Sequence, residues 1–467
     1  MPEEKKYVPR PKDPRVLANE EDPVERSKDF RPVDKGYTEE MAVAEANRCL
    51  NCKNPKCIEG CPVGIDIPGF IAAIRDRDFG RGLDIIRADS MLPAICGRVC
   101  PQETQCEIKC VVGIKNEPIA IGQLERFLGD MPEVGTTPPV APPNGKKVAV
   151  VGSGPAGITC AGELARKGFS VTVFEAFFTG GGVLVYGIPE FRLPKAVVRR
   201  EIDTLRELGV EFEYNSVVGR INNAEELFEE GYDAIFIATG AGAPKLLNIP
   251  GENLPNVFFA NEFLTRVNLM KANQFPEYDT PIKRAKNVFV FGGGNVAMDA
   301  VRTALRLGAE KATIAYRRTR AEMPARLAEV EHAVAEGVEI LELVSPIQFL
   351  PGEDGKVAHV EVQHMELGEP DESGRRRPVP IEGSTEIIDC DVAISAIGTN
   401  ANPFGELIGS VELDGRRYVK ADAEGRTSNP RIWAGGDIVT GAATVILAMG
   451  AGKDAAASIA KALLEEE

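Results

Sequence analysis

The 467-residue chain lacks several features that would direct it to a membrane, a secretory route or a histidine-bound metal. No apolar run approaches the roughly 20 residues of a membrane-spanning helix. The first residues, MPEEKKYVPRPKDPR, have no apolar core and therefore do not form a signal peptide. The three histidines, His332, His359 and His364, are scattered and form no metal-binding pair or triad. We therefore expect a cytoplasmic protein with no membrane partner.

Positive charge is also in short supply. The 54 lysines and arginines are outnumbered by 70 acidic residues, which gives a net charge of −16. Nucleic-acid binding needs a basic face, so we expect no nucleic-acid partner. The basic run Arg375, Arg376 and Arg377, in ESGRRRPVP, is expected to lie in a solvated loop between two strands.

Cysteine is concentrated in one part of the chain. Only Cys160 and Cys390 lie elsewhere, and both are expected to be core residues. Because cytosolic thiols stay reduced, the concentration indicates metal or redox ligands rather than disulfides. The first group is Cys49, Cys52, Cys57 and Cys61, and the second is Cys96, Cys100, Cys106 and Cys110.

Thiolates at mixed short spacings suit either zinc or iron–sulfur clusters. Cys61 and Cys100 are each followed by proline, as in the ligand runs of two-cluster ferredoxins. Zinc would usually show two CxxC pairs, and the second group contains none. The spacing therefore predicts two [4Fe–4S] clusters, with zinc as the weaker alternative.

A first dinucleotide-binding unit is predicted in KVAVVGSGPAGITCAGELARKGFSVTVFEA, which has the pattern strand, glycine-rich turn, helix, strand. The glycines permit a tight turn and a close approach to a pyrophosphate, which the helix N-terminus then faces. Glu175, at the end of the second strand, can accept hydrogen bonds from ribose hydroxyls. The turn residues predicted to bind are Gly152, Gly154, Pro155, Ala156 and Gly157.

A second unit is predicted in NVFVFGGGNVAMDAVRTALRLGAEKATIAYRR. Arg317 and Arg318 stand where the first unit has an acid, and arginine forks bind a 2′-phosphate that an acid would repel. The second site should therefore prefer NADP(H), unless the two arginines are simply solvated. Asp299 and Arg302, inside the helix, are expected to be structural. The predicted turn residues are Gly292, Gly294, Asn295, Val296 and Ala297.

These units predict an α/β fold in which a helical two-cluster domain precedes two Rossmann-like units, the second inserted in the first through two short strands. The sequence GTTPPVAPPNGKK is a proline-rich linker. The predicted boundaries are an arm at 1–36, the helical domain at 37–134, the linker at 135–147, the first unit at 148–275 with 395–467, and the second at 276–394.

The stretches AIFIATGA and IWAGGD resemble parts of the two-dinucleotide flavoprotein family that wrap FAD. The resemblance implies FAD contacts at Thr239, Gly240, Gly436, Asp437, Ala443 and Thr444, with a helix starting at about Thr444. The segment GGGVLVYGIPEFRLPK would lie beside the isoalloxazine ring, although a plain loop would also use its glycines. Its implied contacts are Gly181, Gly182, Leu184, Gly187 and Arg192.

The N-terminal region resembles the two-cluster domain of glutamate synthase small subunits, dihydropyrimidine dehydrogenase and the large subunit of NADH-dependent ferredoxin:NADP⁺ oxidoreductase (Nfn). The resemblance implies one cluster on Cys49, Cys52, Cys57 and Cys110, and a second on Cys61, Cys100, Cys106 and Glu125. In the alternative assignment, Cys96 is the fourth ligand and Glu125 is a surface acid.

With NADP(H), FAD and two clusters, we expect hydride exchange between nicotinamide and flavin, then single-electron transfer through the clusters, with no catalytic acid or base. The stretch NPKCIEGCPVGIDIPGFI resembles the Nfn large subunit, which implies electron bifurcation. The partners would be ferredoxin and a smaller subunit with a flavin and a [2Fe–2S] cluster. The alternatives are a glutamate synthase small subunit, a stand-alone NADPH:acceptor reductase and an electron-wiring module without turnover.

Overall fold

The structure is a computed structural model that describes residues 13–136, 138–282, 284–372, 374–403, 408 and 411–465. The first twelve residues of the predicted arm lie outside this range. From residue 13 the arm runs over the surface with one short helix, α1 (Pro23–Arg26), whose Arg26 is buried. Within the described ranges, no helix combines the length and the apolar character that membrane crossing demands.

The helical domain is confirmed between the arm and the linker. Its helices α6 (Pro93–Val99) and α7 (Ile121–Gly129) pack closely because both carry glycine at the contact. A Cβ on Gly97 would lie 2.5 Å from the backbone nitrogen of Arg126, and one on Gly129 would lie 2.5 Å from the backbone nitrogen of Ala94. The helices are α2 (Glu39–Asn47), α3 (Lys56–Glu59), α4 (Ile67–Arg75), α5 (Phe79–Asp89), α6 (Pro93–Val99) and α7 (Ile121–Gly129), with 3₁₀ turns at Gln102–Thr104, Val111–Ile114 and Pro132–Val134.

The first α/β unit is a five-stranded parallel sheet, as the alternating strand and helix pattern predicts. The strand that returns from the C-terminal part pairs Ile432 with Ile235 and so completes the sheet. In spatial order the strands are β15 (Ile432–Ala434), β4 (Ala234–Ile237), β1 (Lys147–Val151), β2 (Ser170–Glu175) and β3 (Glu211–Tyr214). The helices are α8 (Pro155–Arg166), α9 (Val183–Tyr186), α10 (Lys195–Glu207), α11 (Ala224–Glu229), α15 (Asp437–Thr440) and α16 (Val445–Leu464).

The second unit is a second parallel sheet inserted in the first unit, as predicted. Its boundary at 275/276 was wrong, because β6 pairs Val257 with Ala393 of β13 and therefore belongs to this sheet. In spatial order the strands are β6 (Val257–Phe259), β13 (Val392–Ser395), β7 (Asn287–Phe291), β8 (Lys311–Tyr316) and β9 (Glu339–Glu342), with helices α12 (Ala260–Asn268), α13 (Asn295–Arg306) and α14 (Leu327–Ala335) and 3₁₀ turns at Ala272–Gln274 and Arg320–Glu322.

Two short strands join the two units, as predicted. β5 (Ala243–Pro244) and β14 (Thr399–Asn400) pair in antiparallel fashion. β5 therefore lies where the chain leaves the first unit, and β14 lies where it returns.

A three-stranded antiparallel sheet extends from the second unit. Its strands are β10 (Val344–Pro351), β11 (Val357–Pro370) and β12 (Arg376–Asp389). The basic run falls at the turn between β11 and β12. Only Arg375 lies in that turn, because Arg376 and Arg377 already belong to β12.

One hydrophobic core joins the helical domain to the first unit. α16 packs along α8, and glycine is needed at the contact because a Cβ on Gly452 would lie 2.3 Å from the Ala156 carbonyl oxygen. Three residues earlier on α16, the Met449 sulfur accepts a hydrogen bond from the thiol of Cys96 at 3.3 Å. Cys160 and Cys390 are both buried, as predicted, although Cys390 lies between β12 and β13 rather than within a strand.

Candidate functional site

A cavity of about 1910 Å³ lies where the three parts of the chain meet. The two glycine-rich turns contribute Gly152 and Gly292 to its wall. Val99 and Pro101, which flank Cys100 in the helical domain, line it as well. Both predicted dinucleotide turns and one predicted cluster ligand loop therefore border the same space.

The first glycine-rich turn has the shape that a bound pyrophosphate requires. Gly152 has φ +103°, and a Cβ there would lie 2.6 Å from the Ala238 carbonyl oxygen. Gly157 is fixed by packing, since its Cβ would lie 1.9 Å from the Gly152 carbonyl oxygen. Gly154 instead faces open space, and α8 begins at the next residue, Pro155. The N-terminus of α8 is thus exposed to the cavity, where its N–H groups suit an anion.

Glu175 lies at the end of β2 on the cavity wall and is buried. One carboxylate oxygen accepts hydrogen bonds from the N–H and the hydroxyl of Ser153, and the other accepts from the Phe177 N–H at 2.8 Å. A carboxylate has about four acceptor positions, so Glu175 can still accept from a ribose hydroxyl. Its second role, bracing the glycine-rich turn through Ser153, has no signal in the sequence.

The remaining residues predicted to contact FAD divide into two groups. Gly157, Gly181, Leu184 and Gly436 lie behind the wall and shape it rather than line it. Asp437 lines the wall, and burial raises the pKa of its carboxyl to about 6. The others on the wall are Gly152, Gly154, Pro155, Ala156, Gly182, Gly187, Arg192, Thr239, Gly240, Ala443 and Thr444.

Thr444 is the N-cap of α16, where its hydroxyl accepts from the Leu447 N–H at 3.3 Å. The predicted helix start is therefore confirmed, and the exposed end of α16 points its first N–H groups toward the cavity that Thr444 lines.

Arg192 is engaged in a way that the resemblance did not imply. Its buried guanidinium pairs with Asp299 at 2.8 Å and with Glu329 at 3.0 Å. The side chain therefore ties the segment at 180–195 to α13 and α14 of the second unit. Asp299 and Arg302 are structural, as predicted, since Arg302 pairs with Glu329 and Glu336.

Lys195, which the sequence analysis missed, holds the same segment from inside the first unit. Its ammonium group donates to the carbonyl oxygens of Leu184 at 3.1 Å, Leu193 at 3.0 Å and Ile188. Burial lowers its pKa to about 8. The only local signal in the sequence is Pro194, which precedes the first residue of α10.

The second glycine-rich turn repeats the geometry of the first. Gly292 has φ +147°, and a Cβ there would lie 2.4 Å from the Ala396 carbonyl oxygen. Gly294, Asn295 and Val296 line the cavity, whereas Ala297 is buried behind them. This turn can therefore bring its backbone close to a second pyrophosphate.

Arg317 and Arg318 follow β8 directly, and both line the cavity. Arg317 is exposed, whereas Arg318 is 4% exposed. Arg318 donates from Nε to the Arg376 carbonyl oxygen at 2.6 Å and pairs through Nη2 with Asp371 at 2.5 Å. The two arginines are therefore not equivalent, because Arg318 also holds the β11–β12 turn.

The thiols assigned to the first cluster surround one small cavity. Its wall also contains the apolar side chains of Ile67, Ile71 and Val112. In the described ranges, no three His, Cys, Asp or Glu side chains converge tightly enough for a single metal ion. The fit for a cluster instead rests on four thiols around one space, and burial, the main cause, raises the pKa of Cys57 to about 12. The four are Cys49, Cys52, Cys57 and Cys110, all partly exposed.

The side chains assigned to the second cluster are buried, except for Cys61, which is partly exposed. Burial raises the pKa values of the Cys61 and Cys106 thiols, and the nearby Glu125 raises both further. The pKa of Cys96 is raised by its hydrogen bond with Cys100 and by burial. Glu125 is 6% exposed, its Oε1 has no hydrogen-bond partner, and burial together with Glu201 raises its pKa to about 8. A buried carboxyl oxygen without a donor fits a metal ligand better than a surface acid.

Comparisons with known proteins match both halves of the chain. Residues 26–135 match the family described as the 4Fe–4S cluster domain II of dihydropyrimidine dehydrogenase. Residues 146–452 match the pyridine nucleotide-disulphide oxidoreductase family. The matches meet at the proline-rich linker.

Two full-length relatives are glutamate synthase (NADPH) small chains. The protein of Halomonas elongata is 38% identical over 93% of this chain and 93% of its own length. The protein of Escherichia coli is 37% identical over 93% of this chain and 94% of its own length. The beta subunit of the NADP⁺-dependent formate dehydrogenase of Moorella thermoacetica is 39% identical over 86% of this chain, which spans only 59% of that subunit.

Solved structures show the same fold at low identity. Mycobacterium tuberculosis FprA in complex with NADPH has a TM-score of 0.57 and 22% identity over 69% of this chain and 85% of its own. Lactococcus lactis thioredoxin reductase has a TM-score of 0.52 and 22% identity over 68% and 99%.

The fold, the paired glycine-rich turns and the clustered thiols define an NADP-dependent iron–sulfur flavoprotein oxidoreductase, whose cofactors are FAD, [4Fe–4S] and NADP(H). Within that class, the chain belongs to the glutamate synthase small-subunit-like family.

Proposed function

We propose that this chain is the NADP(H)-side subunit of an Nfn-type electron-bifurcating complex. It would exchange hydride with NADP(H) and supply electrons to ferredoxin and to a smaller subunit that carries a flavin and a [2Fe–2S] cluster. A cytoplasmic location goes with this function, since the cluster thiols need a reducing compartment.

The observation that supports electron transfer out of the chain is the arrangement of the two thiol groups. Val99 and Pro101, next to Cys100, line the large cavity, whereas Cys49 and Cys52 belong to the group that is partly exposed. The second cluster would therefore lie toward the flavin side and the first toward the surface. When bound, FAD supplies both hydride exchange with nicotinamide and one-electron chemistry.

We assign FAD to the first glycine-rich turn and NADP(H) to the second. The residues that would hold FAD are Gly152 and Gly154 at the pyrophosphate, Glu175 at the ribose, and Asp437 with the N-terminus of α16 at the far end. For NADP(H) they are Gly292, Gly294 and Asn295 at the pyrophosphate, with Arg317 and Arg318 at the 2′-phosphate. Lys195 and Arg192 keep the intervening segment in place from both sides.

For the clusters, we keep Cys49, Cys52, Cys57 and Cys110 together at the first site. At the second site we propose Cys61, Cys100, Cys106 and Glu125. The unpartnered oxygen of Glu125 supports this choice, and so does the hydrogen bond that the Cys96 thiol donates to the Met449 sulfur, which gives Cys96 a partner within the protein.

A second candidate is a glutamate synthase small subunit, because the relatives with that name match along almost their whole length. The two candidates differ in the partner protein. In the glutamate synthase case, the electrons would pass to a large amidotransferase subunit and bifurcation would not occur.

The test is anaerobic purification of the native protein from its source, followed by identification of its companions by mass spectrometry. We expect a companion smaller than this chain that carries flavin and a [2Fe–2S] cluster. A much larger amidotransferase would replace the Nfn assignment with glutamate synthase. The protein emerging alone, active with dye acceptors, would instead indicate a stand-alone NADPH:acceptor reductase.

A further inference from the structure

The basic run in the β11–β12 turn does not lie in solvent along its whole length. Arg375 is half-buried and lines the large cavity, as Arg317 and Arg318 do. Three arginines from two distant parts of the chain therefore border the same end of the second dinucleotide site. The expectation of a solvated loop was wrong for Arg375.

Asp371 fixes this turn against the second unit. Its Oδ2 pairs with Nη2 of Arg318 at 2.5 Å, and its Oδ1 accepts from the Arg375 N–H at 3.3 Å. Its own N–H donates to the Arg375 carbonyl oxygen at 2.7 Å. Arg318 also holds the turn by donating a hydrogen bond from Nε to the Arg376 carbonyl oxygen. The position of Arg375 is therefore coupled to Arg318 through one carboxylate.

The same contacts limit what Arg318 can offer to a ligand. Nε and one Nη2 hydrogen are used by the turn, and the Asp371 carboxylate offsets part of the positive charge. A phosphate monoester carries about −1.5 to −2 charges at neutral pH, so Arg317 alone would balance only part of it. The wall of this site contains one more arginine, Arg375.

We propose that Arg375 is a specificity-determining residue that binds the 2′-phosphate of NADP(H), and that Asp371 positions it. This inference rests on the proposed assignment of NADP(H) to the second glycine-rich turn. The phosphate would be held between Arg317, from the end of β8, and Arg375, from the β11–β12 turn. Selection of NADP(H) over NAD(H) would then depend on a hairpin outside the Rossmann-like unit.

The experiment measures binding of 2′,5′-ADP and 5′-AMP to the full chain by calorimetry, because the two probes differ only in the 2′-phosphate. Arg375→Ala should weaken 2′,5′-ADP binding about 10- to 100-fold, as expected for one charge-assisted contact, and leave 5′-AMP binding unchanged. Arg375→Lys keeps the charge but loses the planar fork, so its affinity for 2′,5′-ADP should lie between those of the wild type and Arg375→Ala.

The matched control is Arg377→Ala, which removes an exposed arginine from the same run that does not line the cavity. It should leave binding of both probes unchanged. In steady-state assays with a dye acceptor, Arg375→Ala should raise KM for NADPH while kcat and KM for NADH stay at wild-type values.

Unchanged binding of 2′,5′-ADP to Arg375→Ala would overturn the inference. Equal weakening of both probes would also overturn it, since Arg375 would then support the hairpin rather than the phosphate. The double variant Arg317→Ala with Arg318→Ala separates this failure from that of the proposed site. If the double variant weakens binding of 2′,5′-ADP and Arg375→Ala does not, only the role of Arg375 is contradicted. If neither variant weakens it, the assignment of NADP(H) to the second site is contradicted as well.

Discussion

Glu125 shows how a single buried side chain can indicate a ligand that its neighbours do not. Its carboxyl group is surrounded by the helical core, yet Oε1 has no donor, and its pKa is raised to about 8. Such a group is costly to bury unless something else satisfies it. Cys96 differs, because its buried thiol already has hydrogen-bond partners in the Met449 sulfur and in Cys100.

We therefore predict that Glu125→Ala changes or removes the electron paramagnetic resonance signal of one cluster, while Cys96→Ser leaves both signals intact. The iron content of the purified variants provides an independent measure. The reverse pattern would make Cys96 the ligand and Glu125 a structural acid.

The second prediction for single residues concerns Arg317 and Arg318 and the preference for NADPH over NADH. Replacing both with alanine should weaken NADPH binding about 100-fold or more and should affect NADH far less. The contact of Arg317 is lost, and without Arg318 the turn that carries Arg375 loses its contacts with the second unit. The measurement is KM for each nucleotide with a dye acceptor. Lys311→Ala, at the exposed other end of β8, is the control. Equal losses for NADPH and NADH would contradict the assignment of the phosphate to these residues.

At the scale of helices, a buried ion-pair network joins α1, α13 and the C-terminal end of α14. Glu336 is its centre, because it pairs with Arg26 at 3.0 Å, Arg302 at 2.8 Å and Arg306 at 2.7 Å. Through Arg302 and Glu329 the network continues to Arg192. It therefore connects the N-terminal arm, the second unit and the segment at 180–195 of the first unit.

Glu336→Gln should lower the free energy of unfolding by about 3–5 kcal/mol, because it leaves the buried guanidinium of Arg306 without a counter-charge and removes one of the two carboxylates that pair with Arg302. Chemical denaturation followed by circular dichroism measures this loss. Glu331→Gln, on the exposed face of α14, should have little effect. A similar small effect for both variants would show that water reaches the network and screens it.

For the molecule as a whole, the network contributes to the response to acid. Burial raises the pKa values of Glu329 and Glu336, but their arginine partners outweigh it and lower both to about 2. Carboxyls with depressed folded-state pKa values contribute stability above their ordinary pKa, and this stability is lost as pH falls through the folded-state value.

We predict that the thermal midpoint of the full chain falls as pH is lowered from about 5 to about 2, because protonation then favours the unfolded chain. Glu336→Gln, already less stable, should show a shallower fall over that window. Differential scanning calorimetry of both proteins tests this. Parallel pH profiles would assign the acid response to other carboxyl groups.

The parts of this molecule that sequence alone predicts are those encoded locally. Gly152 and Gly292 lie in motifs that need only a strand before and a helix after them, and both are placed as predicted. The parts that could not be predicted depend on distant partners. β6 belongs to the second sheet only because Val257 meets Ala393, and Arg192 is engaged only because Asp299 folds against it. Arg375 reaches the cavity through a turn whose direction no local pattern specifies.

The pairing of β15 with β4 has a consequence for biosynthesis. The first sheet lacks an edge strand until Ile432 has been translated and has paired with Ile235, after the whole second unit has left the ribosome. α16 follows later still, yet it packs on the helix of the first glycine-rich turn and contacts Cys96 beside the second cluster site. A nascent chain can therefore complete the inserted unit first, while the packing around the first glycine-rich turn and around Cys96 must wait until α16 is synthesised.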